Sequence, residues 1–116
     1  MVNYDEIKEK HFTEQLREAQ LAVSDLLEMD TWKAYERKVI QGDNEAEKMI
    51  ITRIKTFASN RPSRDLIYKL AEEADSIRIR LKKGKLDLSC DEALKREIYK
   101  ALSKYVGIVA IVEAGE

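Results

Sequence analysis

Apolar residues recur at spacings of three and four along most of this chain, the period of a helix with one buried face. Phe12, Leu16, Ala19, Val23, Leu26 and Leu27 form the first stripe. Asn3 is placed to cap it, with Asp5 and Glu6 favourably sited in its first turn. The stripe ends near Glu28 or Met29, where Asp30 and Thr31 read as the cap of a second helix over 32–40. That helix buries Trp32, the face at Tyr35 or Glu36, and Val39. Gly42 is expected to supply a left-handed stop, and Asp43 or Asn44 to cap a third helix with Ala46, Met49, Ile50, Ile54 and Phe57 on one face.

Ser59-Asn60-Arg61-Pro62-Ser63 is the clearest break, because its proline can open a helix and cannot continue one. A fourth stripe follows: Leu66, Ile67, Leu70, Ala74, Ile77 and Leu81. Lys82 and Lys83 suit the negative end of that helix, and Gly84 suits the residue just past it. Ser89-Cys90-Asp91-Glu92 reads as a capping box, with Leu88 as its hydrophobic staple. It would open a fifth helix over 90–112 that buries Leu94, Ile98, Ala101, Leu102, Tyr105, Val109 and Val112.

Two stretches also fit strands. Residues 76–81 alternate polar and apolar, and residues 82–85 could turn back into Leu86-Asp87-Leu88, which makes a β-hairpin. Residues 106–112 are rich in β-branched side chains. Capping signals on both sides of Gly84 agree with the helical stripes, so helix is preferred in both places. The expectation is an all-α fold, an antiparallel bundle of four to five helices in one domain over 1–116. A short basic β-hairpin near Gly84 is the alternative.

Composition supports this. Of 116 residues, 37% are charged, and only four are glycine and one proline, too few turn formers for a sandwich or barrel. Net charge is −1, so no global field drives the protein onto nucleic acid or an anionic membrane. The longest apolar run, residues 105–112, is well short of the roughly 20 needed to span a bilayer. No membrane partner is expected. One cysteine and no signal-like leader point to a reducing, cytoplasmic compartment.

Candidate chemistry is sparse. His11, the single histidine, shares a helix face with Glu14 and Glu18, but one histidine cannot build a di-iron site, and a solvent-facing role among glutamates explains it. Cys90 in the first turn of the fifth helix would have its thiolate stabilised by the dipole, opposed by Asp91 and Glu92; a partly buried structural thiol is the better account. Adjacent carboxylates such as Glu72 and Glu73 diverge on a helix. No glycine loop for phosphates exists. Neither a catalytic activity nor a cofactor is expected.

Two features carry functional content. Arg78, Arg80, Lys82, Lys83 and Lys85 fall within eight residues that contain no acid, a cluster able to contact phosphates. Residues 61–116 carry 12 basic and 10 acidic groups, whereas residues 1–60 carry 9 and 12. Tyr105, Ile108, Val109, Ile111 and Val112 make the last helix apolar almost all round, which suits burial in the core or against a second subunit. The expectation is a small interaction or regulatory protein that works through helix faces and self-associates through residues 105–112. The alternative is a nucleic-acid-binding helical domain that uses the basic cluster.

Overall fold

Each amphipathic stripe becomes one helix. The computed structural model describes residues 4–58 and 63–114, with side chains from 10 to 58, at 63 and from 65 to 110. Its elements are α1 (Tyr4–Glu28), α2 (Asp30–Gln41), α3 (Glu45–Ala58), α4 (Arg64–Lys82) and α5 (Glu92–Ala114). No strand occurs among the described residues. The expected Asn3 cap and the break around Pro62 lie outside them. Ser63 does cap α4: its hydroxyl accepts the Leu66 N–H at 3.3 Å.

α5 lies against both α1 and α4, and α1 also packs on α3. Phe12, Leu16, Ala19, Val23 and Leu26 of α1 meet Leu94, Ile98, Leu102, Tyr105 and Val109 of α5 in one continuous core. Trp32, Tyr35 and Val39 bring α2 into that core, and Ile51, Ile54 and Phe57 bring in α3. Phe57 and Tyr105 stack at 5.4 Å between ring centroids, which locks α3 to α5. The Trp32 indole N–H donates to Glu36 at 3.1 Å, and Glu36 accepts from Lys55 at 2.7 Å, tying the polar edge of α2 to α3.

The hairpin expected near Gly84 does not form. Ile77 is buried whereas Ile79 is 40% exposed, so the two do not share the one face that strand alternation demands. The core positions of α4 are instead Ile67, Leu70, Ala74 and Ile77, at helical spacing. Gly84 ends the helix with φ +68. The Lys85 N–H reaches the Arg80 carbonyl at 2.9 Å and the Gly84 N–H reaches Leu81 at 3.2 Å, the two bonds of a Schellman turn. Residues 106–112 are likewise helical.

Three capping expectations are corrected. Gly42 is extended, with φ −92 and ψ −171, because the chain runs straight on to the cap of α3; no left-handed residue is used there. Asn44 is that cap, its Oδ1 accepting the Glu47 N–H at 3.1 Å. α2 starts two residues early, with Met29 at the N-cap without a side-chain bond and Asp30 inside the first turn. α5 starts later than expected. Asp91 is its cap, its Oδ1 accepting the Leu94 N–H at 2.8 Å. Ser89 does not cap α5: it lies two residues before Asp91, and its N–H and hydroxyl are turned to a buried carboxylate elsewhere.

That carboxylate is Glu47, which is only 4% exposed. A buried carboxylate needs hydrogen-bond donors. Ser89, 42 residues further along, supplies them: its N–H donates to Oε1 at 3.0 Å and its hydroxyl to Oε2 at 3.0 Å. The α4–α5 connection is thereby fastened to the first turn of α3, where the helix dipole also favours the negative charge.

Candidate interaction surface

The basic cluster is divided by the fold. Arg78 is half-buried and committed: its Nε donates to Asp75 at 3.0 Å, and its guanidinium lies 6.0 Å from the centre of the Tyr99 ring. Arg80, Lys82, Lys83 and Lys85 are exposed, and none forms an ion pair with a described residue. Arg80 points about 200° away from Arg78 around the helix, at 100° per residue. Lys82 returns to the Arg78 side. Lys83 and Lys85 occupy the turn around Gly84.

On the Arg78 side, the end of α4 and the start of α5 leave an open groove of about 260 Å³ lined by Leu81, Lys82, Glu92, Lys95, Arg96 and Tyr99. Its floor is aliphatic and aromatic, and cations stand on both walls. Glu92 is the one acid among these lining residues, and it is paired with Lys95 at 3.2 Å. The hydrogen bond that the Lys95 ammonium donates to Glu92 holds its pKa above the ordinary lysine value. The site therefore offers a net positive rim around an apolar strip, an arrangement suited to a segment that mixes carboxylates with an apolar side chain.

Lys95, Arg96 and Tyr99 were not among the expected site residues, because they lie beyond the connection and outside the compact basic run. The sequence does hold a signal: two cations close to the positive end of a helix oppose its dipole, and only Lys95 is offset by a local partner, Glu92.

Of the apolar set, Tyr105, Ile108 and Val109 are buried by the chain's own helices. The side chains of Ile111 and Val112 lie outside the described residues. The face of α5 that meets solvent carries Lys100, Lys104, Gly107 and Ala110. Burial holds the Tyr105 hydroxyl well above the ordinary tyrosine pKa, and that oxygen has no hydrogen-bond partner among the described residues. Tyr35 is held above it too, by burial first and then by the adjacent Glu47 carboxylate.

Cys90 precedes α5 and is not in its first turn, so it gains little from the dipole. It is half-buried beside Tyr35, Lys38 and Leu94, along a groove of about 300 Å³. Burial pushes its thiol upward, partly offset by Lys95. His11 is exposed, and among the described residues no group of three His, Cys, Asp or Glu side chains could hold a metal ion. No helix among them is long and apolar enough to cross a membrane.

No family model, curated protein or solved structure matches this chain.

Proposed function

We propose that the protein is a non-catalytic interaction module of the cytoplasm that docks an acidic protein segment in the α4–α5 groove. The observation that carries this is the groove itself: Lys82 and Arg96 stand exposed over Leu81 and Tyr99, where charge and apolar surface are offered together. The single cysteine of the chain supports the reducing compartment.

A protein segment suits this surface better than a nucleic acid. Glu92 lines the groove and Asp87 and Asp91 flank it in the chain, so a continuous phosphate backbone would meet like charge, whereas a peptide can place its carboxylates selectively. Tyr99 could stack a base, but Arg78 already lies over its ring.

Fluorescence anisotropy tests the reading with a labelled amphipathic peptide of about 14 residues, four helical turns, bearing Glu at i and i+4 around a central Leu. Salt-sensitive binding, weakened about tenfold or more in a Lys82→Ala/Arg96→Ala variant, is the expected result. Absence of binding at low salt overturns it. Tighter binding of a single-stranded oligonucleotide, lost in the same variant, would transfer the surface to nucleic acid.

A further inference from the structure

On α1, Glu14, Glu18, Leu21, Asp25 and Glu28 are all exposed. Their spacing of four, three, four and three places them in one line along the helix, away from the buried line of Phe12, Leu16, Ala19, Val23 and Leu26, with Asp25 at the edge beside Lys100 and Lys104 of α5. Leu21, a large apolar side chain, is 53% exposed in the middle of that line. Glu14, Glu18 and Asp25 make no ion pair with a described residue; Glu28 holds a loose one with Lys33 at 3.4 Å, and Arg17 borders the line. The result is an acidic strip with a leucine at its centre.

The α4–α5 groove is its counterpart: an apolar floor at Leu81 and Tyr99 between Lys82 on one wall and Lys95 and Arg96 on the other. From Glu18 to Asp25 the strip extends over about two helical turns, roughly 10 Å. We infer that the occupant of the groove is the α1 strip of a second copy of this chain, with Leu21 on Leu81 and Tyr99, and Glu18 and Asp25 facing Lys82 and Arg96. This inference rests on the docking role proposed for the groove and names its partner.

The two faces are different surfaces, so the contact is heterologous: it closes into a ring where the rotation between copies allows and otherwise runs head to tail. This geometry leaves Tyr105, Ile108 and Val109 in the core of each chain and does not need them at the interface.

Sedimentation velocity on the full chain, paired with a charge-exchange series, tests the inference. The wild type is expected to self-associate at low ionic strength and to dissociate as salt rises toward about 0.5 M, where screening acts within a few ångströms. Glu18→Lys/Asp25→Lys and Lys82→Glu/Arg96→Glu should each associate at least about tenfold more weakly, because both place like charges across the contact. All substituted side chains are exposed, and circular dichroism confirms that each variant is folded. Mixing the two variants restores attraction between unlike copies, and a mixed assembly is the decisive expected result. A wild type that stays monomeric at low salt overturns the inference, as does association that both variants retain, or a mixture that stays monomeric. In any of those cases, peptide binding in the groove still decides the docking role separately.

Discussion

Replacement of Glu47 by alanine probes the longest-range polar contact described. Glu47→Ala removes the acceptor for the Ser89 N–H and hydroxyl, both at 3.0 Å, from a side chain only 4% exposed. Hydrogen bonds to a charged acceptor contribute about 1.5–3 kcal/mol each. Ser89 is exposed, so water can take up its donors after the substitution, and a figure of about 1 kcal/mol per bond is appropriate. Loss of a buried methylene adds about 0.8 kcal/mol. The sum, about 2–3 kcal/mol, corresponds to a fall in Tm of roughly 8–12 °C for a chain of this length. Glu47→Gln keeps the methylenes and one acceptor oxygen, and about half that loss is expected. Urea denaturation followed by circular dichroism measures both, and a cycle with Ser89→Ala should show a coupling of about 1 kcal/mol. If Glu47→Ala lies within about 0.5 kcal/mol of the wild type, or if the two substitutions are additive, the contact does not hold the connection in place.

Gly84 has φ +68 with open space where a side chain would go, so Gly84→Ala should cost about 1 kcal/mol from backbone strain alone, and Gly84→Asn less; equal urea midpoints for all three would contradict this. Gly107 sits within α5 with nothing near an added methyl group, so Gly107→Ala should raise stability by about 0.5–1 kcal/mol, and a fall in Tm would mean that this face is covered. Tyr35 and Tyr105 hold their protons more tightly folded than unfolded. Their contribution is therefore complete below the unfolded tyrosine pKa of about 10 and is lost as pH rises beyond it, so alkaline unfolding should accompany the last tyrosines to ionise in an ultraviolet titration. Cys90, with its thiol pushed upward by burial, should react with a disulfide reagent at neutral pH several-fold more slowly in the native protein than in urea; equal rates would contradict its shielding.

Helix content was legible because α1, α2 and α5 each carry a stripe whose buried members are apolar. Phe12 to Leu26, Trp32 to Val39 and Leu94 to Val109 all lie where the period places them. α3 was read correctly only in its second half: Ile54 and Phe57 are buried and Ile50 packs on the core, but Ala46 and Met49 are exposed and Glu47 and Ile51 take the buried positions. A glutamate in a core position breaks the alternation that the reading depends on, and its partner Ser89 is too distant in sequence to reveal why. The same contact accompanies the misplaced cap: Ser89 has the right spacing for a capping box, but it is held toward Glu47 and the helix starts two residues later, with Asp91 as its cap. At Gly84 local chemistry and fold agree, and the C-terminal stop is as expected. The groove was half legible. Its α4 wall is a dense basic run, whereas Lys95, Arg96 and Tyr99 join it only because α5 folds back along α4.

The position of α5 between α1 and α4 has a consequence for how the chain acquires its structure. During synthesis α1 emerges first, yet the helix that covers most of its apolar face is the last to be made. Until then Phe12, Leu16 and Val23 have only α2 and α3 to shelter them. Folding of the whole must wait for contacts that close a loop of most of the chain length, which slows the final step relative to a bundle of sequential neighbours. Nascent chains that stall before α5 would expose a continuous apolar stripe and be natural clients for chaperones.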